Sequence, residues 1–270
     1  MSHHAPTLFD ILPATSDAPD LASYDVIAIS SSGGKDSQTM LAHVVGLARA
    51  AGVADRIVVI HADLGRAEWN GTGELARAQA EFHGVPFTVI RKTDTDAAPA
   101  DLLDRVKVRG MWPSSSARWC TSDHKRGPIR TVFTRLAREH RERTGSAAPV
   151  RILDCIGMRA QESTARAKRA PFTPGKVDRK TQRVDEWLPI LGWSEAEVWD
   201  DIERVGAPHH EAYDLGMSRL SCVFCVLASE GDLRIAAKAN PELAAEYIAT
   251  EVEIGHTFKN GRSLAEIVGQ

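Results

Sequence analysis

Two hydrophobic patterns take turns along the chain. The runs "YDVIAIS" at 24–30, "RIVVIHAD" at 56–63, "FTVIRK" at 87–92 and "VRILDCIG" at 150–157 are short, apolar and β-branched, as buried strands are. Between them the apolar positions recur at helical spacing. Met40, Leu41, Val44, Val45 and Ala48 follow the first run, "GTGELARAQAEFHG" follows the second, and a charge-rich helix spans about Pro128 to Thr144. Strands alternating with helices predict an α/β fold, a doubly wound and mostly parallel sheet covered on both faces. Such a sheet binds ligands at the carboxyl ends of its strands, where Ser32, Asp63 and Gly157 fall.

The pattern changes after the fourth run. "APFTPGKVDRKTQRVDEW" at 170–187 is rich in proline, glycine and charge, and reads as a mobile loop over the site. "WLPILGW", the helical "SEAEVWDDIERVG", a cysteine turn and further helices follow. The expected organisation is a flexible N-terminal arm at 1–23, a strand-bearing domain at 24–185, and a C-terminal helical appendage at 186–270. That appendage carries a Cys-x-x-Cys and closes one side of the site.

With 270 residues, 43% of them hydrophobic, the chain can bury a full core. No apolar stretch reaches membrane-spanning length. The start, "MSHHAPTLFDILPATSDAPD", lacks the basic opening and long apolar centre of a secretory signal. Four cysteines without an export signal argue against a disulfide scaffold, so a cytoplasmic location is expected, with no membrane partner. The net charge of −3 hides an asymmetry, because residues 101–183 hold 20 Lys or Arg against 8 Asp or Glu. Arg105, Lys107, Arg109, Arg118, Lys125, Arg126 and Arg130, then Arg166, Lys168, Arg169, Arg179, Lys180 and Arg183, fall near the candidate motifs within that block, and some of them are expected to meet a polyanion. Charge alone does not separate ATP from DNA or RNA.

"SSSGGKDSQTML" at 30–41 joins the first strand to its helix. Gly33 and Gly34 permit a tight turn, and the amides of Gly33, Gly34 and Lys35 can converge on a phosphate at the positive end of the helix. It is not a Walker A loop: Ile29 stands where the first glycine belongs, and Asp36 where serine or threonine does. An aspartate beside phosphates calls for a cation between them, which points to Mg²⁺ at Asp36. His61, Asp63 and Gly65 end the second strand, where Asp63 can join that metal or orient a ribose. In "IGMRAQESTARAKR" at 156–169, Gly157 allows close approach, Arg159 can meet phosphate, and Glu162 and Arg166 lie one helical turn apart. Cys120 in "RWCTSDHKRGP" and the pair Cys222 and Cys225 in "SCVFC" leave three readings open. They are three ligands of a [4Fe-4S] cluster, a zinc site completed by His124, or a redox dithiol.

The loop "SGGKDS" resembles the PP-loop of ATP pyrophosphatases, a superfamily that includes PAPS reductases, tRNA thiolation enzymes and DNA phosphorothioation sulfurtransferases. The likeness extends over about residues 24–265. "WCT" with Lys125 and Pro128, then "WLPILGWSEAEVWDDIERVGAPHHEAYDLGMSRLSCVFC", is most similar to the phosphorothioation sulfurtransferases of the Dnd and Ssp systems. It implies a five-stranded sheet of the adenine nucleotide α-hydrolase type. It also implies a loop from Ser30 and Ser32 through Gly33, Gly34, Lys35 and Asp36 to Ser37 gripping ATP, with His61, Asp63, Gly157 and Arg159 completing the nucleotide site. Lys35, Asp36 and Arg159 become the catalytic candidates, Asp36 and Asp63 the Mg²⁺ ligands, and Cys120, Cys222 and Cys225 the ligands of a [4Fe-4S] cluster. No cysteine follows Cys225 to serve as a fourth ligand, and Cys155, inside an apolar strand, reads as a core thiol. The absence of a C-terminal cysteine argues against reduction by the PAPS reductase route. The activity implied is ATP cleavage to AMP and pyrophosphate that activates an oxygen for replacement by sulfur, with DNA as acceptor and tRNA the alternative. Sulfur then has to come from a cysteine desulfurase and other phosphorothioation proteins. Outside the enzyme class, the sequence also suits a nucleotide-sensing module with structural zinc.

Overall fold

β1 (Val26–Ser31), β2 (Ile57–Asp63), β3 (Phe87–Arg91) and β4 (Val150–Ile156) form where the apolar runs predict them. The structure, a computed structural model, describes residues 18–93 and 101–269. The expected flexible arm falls mostly on residues 1–17, outside the described residues. Residues 18–23 are part of the fold, with Leu21 buried in the core. Two more strands, β5 (Phe172–Arg179) and β6 (Gln182–Trp187), make a six-stranded sheet of order β3-β2-β1-β4-β6-β5. All neighbours are parallel except β5 and β6.

The sheet thus has six strands rather than five, and the segment expected to be a loop is an antiparallel hairpin. The reason lies in its position. β5 is an edge strand exposed along most of its length, so it needs no apolar face, and its register shifts between Thr173 and Val177, around Pro174 and Gly175. β6 pairs with β4 on its inner side and buries Val184 and Trp187.

Helices cover both faces. α1 (Lys35–Ala50) and α2 (Thr72–Phe82) lie on one, where Ile27, Ile29, Met40, Leu41 and Val44 share a core. On the other, α5 (Gly127–Thr144) lays Val132, Phe133 and Ala137 against Ala28, Ile60, Ile152 and Val184. A short helical turn, α4 (Trp119–Thr121), enters α5 through a π-helical turn at Ser122–Arg126. α6 (Thr164–Ala167) follows β4.

α7 (Glu195–Val205) precedes the third core, which is built by α8 (Glu230–Ala239), α9 (Pro241–Ile254), α10 (Leu264–Val268) and earlier segments. α7 packs mainly on α1. α8, α9 and α10 enclose Trp112, Tyr247 and Phe258 together with Leu64, Ala67 and Trp69, and with Leu103 of α3 (Leu102–Arg109). The segment after β2 therefore belongs to the same core as the C-terminal helices. Among the described residues no helix is long and apolar enough to cross a membrane.

Three buried histidines make the fold acid-sensitive. Burial, reinforced at His43 and His83 by Arg204 and Arg49 respectively, pulls His43, His83 and His124 down to about 4. Each stays neutral in the native state while its unfolded counterpart takes up a proton below about 6.5. The contribution of these three residues is therefore full above pH 6.5 and is lost as pH falls toward 4. The urea midpoint is expected to drop steeply across that window, and His43→Leu, which replaces two unpartnered ring nitrogens, is expected to flatten part of the slope.

Candidate functional site

β1 lies at the switch point of the sheet, with β2 on one side and β4 on the other. From Ser31 the chain turns through Ser32, Gly33 and Gly34 into α1. Gly33 has φ 71°, and a Cβ there would stand 3.0 Å from the Thr72 carbonyl, so glycine is required. Hydroxyls hold the turn. Ser37 Oγ accepts from the Ser32 amide at 3.2 Å and donates to the Gly34 carbonyl at 2.9 Å; Ser31 Oγ accepts from the Gly33 amide at 3.3 Å. The Tyr213 phenol oxygen accepts from the Lys35 amide at 2.9 Å and the Leu220 amide at 3.2 Å. Two of the three amides expected to converge on a phosphate, those of Gly33 and Lys35, thus donate to hydroxyls. Tyr213 carried no sequence signal as a loop residue. Burial pushes it up to about 12, so it stays a neutral phenol.

Lys35 reaches the C-terminal region. Its buried ammonium donates to the Ser218 carbonyl at 2.7 Å, stands 3.2 Å from Glu195 and lies over the Tyr213 ring. Asp36 is held by Arg159, whose Nε donates to Oδ1 at 2.6 Å. Arg159 is only 3% exposed, and Glu162 fixes it by accepting from its amide. Gly157 makes this approach possible, because a Cβ there would lie 2.8 Å from the Asp36 carbonyl oxygen and 2.9 Å from Ser37 Cα.

Ser30, Ser32, Ser37 and Gly157 open on a cavity of about 380 Å³ on the α5 side of the sheet. Ile60, Ile129, Phe133 and Val184 line it, and Arg118, Lys125, Arg126, Arg130, Arg166 and Arg169 bring in positive charge. The fold thus gathers this part of the basic block at one site. Other members of the block pair elsewhere, Arg109 with Asp123 and Arg183 with Asp178. Burial, then the neighbouring Arg219 and Arg118, oppose the charge on Arg166, which pairs with Glu162 one helical turn back as its spacing predicts.

His61 and Asp63 part company at the end of β2. Asp63 accepts from the Gly65 amide and pairs with Arg91, so it and Asp36 each answer to a separate guanidinium. His61, 1% exposed, bridges the Ser31 carbonyl and Glu68 Oε2, both at 3.1 Å. Burial alone lowers its affinity for a proton, but Glu68 and the Ser31 carbonyl outweigh this and raise its pKa. Glu68 went unseen in the sequence because nothing local marks it; it lines the cavity and forms a backbone bridge with Cys222.

Cys120, Cys222 and Cys225 pack against one core, and all are free thiols. Cys222 is pushed up to about 12, first by burial and then by Cys225 and Cys120, while Lys125 opposes the shift; burial likewise raises Cys120. These neighbours put the three sulfurs within electrostatic reach of one another, a donor set that suits a soft metal. Among the described residues, no group of three or more His, Cys, Asp or Glu stands in metal-holding geometry. His124, fully buried, lies against Trp119 and feels Asp123, Arg105, Lys92 and Asp101 rather than the thiols. Cys155 is a core thiol in β4, inaccessible to solvent.

A glycine-serine turn at the switch point of a mostly parallel sheet, opening on a basic cavity, defines an α/β protein with a candidate anion site at the carboxyl ends of its strands. Residues 26–228 match the phosphoadenosine phosphosulfate reductase domain, and the chain belongs to that family. It is 28% identical over 161 residues to a 37.8 kDa protein of the gpa 5′ region of Escherichia phage 186, covering 60% of this chain and 45% of that one. The match therefore spans less than half of that relative. Among solved structures, the phosphoadenylyl-sulfate reductase of Candida auris in its phosphate complex is 15% identical, with 74% of this chain and 83% of that chain covered, at TM-score 0.47. The U34-tRNA thiolase NcsA of Methanococcus maripaludis with its [4Fe-4S] cluster is 14% identical, with 88% and 72% covered, at 0.43. The FMN adenylyltransferase of Candida glabrata with FMN and an ATP analogue is 16% identical, with 74% and 55% covered, at 0.46. At such values none of the three bears on function.

Gly157→Ala is expected to displace the first turn of α1, costing about 1–3 kcal/mol of stability as read from denaturant melts. Arg159→Met strands the Asp36 carboxylate and is expected to cost about 3–5 kcal/mol, read from the same melts.

Proposed function

We propose that the protein is an ATP pyrophosphatase that adenylates a substrate oxygen and so supports sulfur incorporation, into the DNA backbone. The observation that carries this is the loop itself: a serine-glycine turn ahead of a helix N-terminus, open to a cavity where cationic side chains converge. A triphosphate laid along that rim meets the positive end of α1 and the Arg and Lys side chains that line the cavity, which stabilise charge developing at the α-phosphate and on the departing pyrophosphate. The hydroxyls of Ser31, Ser37 and Tyr213 keep the turn in shape until phosphate oxygens compete for its amides. Arg159 orients Asp36, the carboxylate offered to a Mg²⁺ that takes its other ligands from phosphate and water. With Asp63 held by Arg91, it is a weaker candidate for the same ion.

Cys120, Cys222 and Cys225 would hold the iron-sulfur cluster. When bound, such a cluster supplies a site for binding or delivering sulfur. The thiol centre adjoins the cavity through Lys125, Thr121 and Glu68, which face both. That adjacency favours a sulfur-transferring enzyme over a nucleotide sensor with structural zinc. DNA is the acceptor of choice on the breadth of the basic rim, with tRNA the alternative, and sulfur arrives from a cysteine desulfurase and other phosphorothioation proteins.

With Mg²⁺, the protein is expected to convert ATP to AMP and pyrophosphate, and Asp36→Ala to slow this by about a hundredfold or more in a coupled pyrophosphate assay. No pyrophosphate from the wild type, alone or with DNA or tRNA and a sulfur donor, sinks the reading. Anaerobic preparations are expected to contain iron and sulfide rather than zinc, and to lose both in Cys222→Ser. Because the thiols of Cys120 and Cys222 hold their protons tightly and must release them to bind metal, reconstitution is expected to improve as pH rises. Radiolabelled sulfur offered with DNA and tRNA in parallel separates the two acceptors.

A further inference from the structure

The floor of the cavity carries a group that the phosphate chemistry does not use. Asp154 lies in the middle of the sheet on β4, its Cα paired with Ala28 of β1 and Glu186 of β6. Ser30 Oγ donates to it at 3.3 Å, a long contact, and it makes no ion pair among the described residues. Glu186 beside it is neutralised by Arg169 and Lys176, so Asp154 is the unpaired carboxyl of an otherwise basic cavity. Protein surrounds it closely, and what exposure it keeps is toward the cavity.

Depth distinguishes it from a metal ligand. Asp154 lies two residues before the end of β4, roughly 7 Å below the level of the loop where phosphates and their Mg²⁺ sit. The cavity walls around it are apolar: Ile60 two residues above its level on β2, Val184 two residues below it on β6, and Phe133 of α5, as suits a flat heterocycle. We propose that Asp154 selects the nucleobase, its carboxylic acid taking the 6-amino group and the adjacent ring nitrogen of adenine on the cavity floor.

The match is one of hydrogen-bond complementarity. A protonated carboxyl offers a donor beside an acceptor, the complement of adenine's amino edge; an ionised one offers acceptors only, the complement of guanine's ring N–H and 2-amino group. Burial, then Glu186 from β6, raise Asp154 to about 7, against the opposing pull of Ser30 from β1, Arg130 from α5 and Lys176 from β5. The acid form is thus well populated near neutrality, the same device by which enzymes keep a buried carboxyl as a donor. Adenine is favoured below pH 7, and the preference fades as pH rises.

This inference rests on the cavity being the nucleotide site. Calorimetric titration of the full chain with ATP, GTP and purine riboside triphosphate, which lacks the 6-amino group, at pH 6 and pH 8 tests it. Wild-type affinity for ATP is expected to fall between the two pH values, and Asp154→Asn, a permanently neutral donor-acceptor pair, to abolish that fall. The titration of the triphosphate itself is common to both proteins. Asp154→Leu, checked for folding by circular dichroism, is expected to bind ATP roughly tenfold more weakly and to erase its advantage over purine riboside triphosphate. Superimposable pH profiles for wild type and Asp154→Asn overturn the proposal. So does an unchanged preference for ATP in Asp154→Leu, or a loss in Asp154→Asn that added Mg²⁺ restores, which marks a metal ligand. Failure of the wild type to bind any nucleotide instead overturns the nucleotide reading of the cavity, and this inference with it.

Discussion

The close approach of the end of β4 to the start of α1 is the constraint on which the site depends. Gly157 leaves no room for a side chain over the backbone of Asp36 and Ser37, and Arg159, two residues on, closes the gap with a buried ion pair to Asp36. One parallel strand pairing, β1 with β4, therefore sets the position of the loop, the direction of the first carboxylate and one wall of the cavity. A guanidinium buried in this way is costly unless fully engaged, and Gln161 and Asp36 both accept from it.

Two further links tie the loop to the rest of the chain. Lys35 and Tyr213 fasten its outer side to the C-terminal helices, through the Ser218 carbonyl, Glu195 and two backbone amides. On the inner side, Ser31, His61 and Glu68 run in sequence toward Cys222. The loop and Cys222, nearly two hundred residues apart in sequence, are thereby joined through the buried His61, the Glu68 carboxylate it contacts and the backbone bridge of Glu68 to Cys222.

Much of this was legible in advance. Four strands, α1, α2, α5 and α7 follow from hydrophobic spacing because each buries a continuous face, and Gly33, Gly157 and Arg159 announce themselves by residue type and by position at strand ends. The hairpin did not: an edge strand carrying Pro174, Gly175 and charge has the composition of a loop, and its pairing to β6 supplies what its side chains do not. Asp154 left a signal that passed unread, a carboxylate between Leu153 and Cys155 in an apolar strand. Lys35 was assigned to phosphate from its place in the motif, whereas its ammonium is taken by Ser218 and Glu195.

By itself, then, the sequence determined the class of fold, the loop and the segments that carry basic and thiol groups, because these depend on local periodicity and on the conformational freedom of particular residues. Only the tertiary structure decided which charges meet. The partners of Lys35, Asp36, Asp63 and Glu68 lie on other elements, and whether a carboxylate is paired, shielded or left open to a cavity depends on distances that no local pattern encodes.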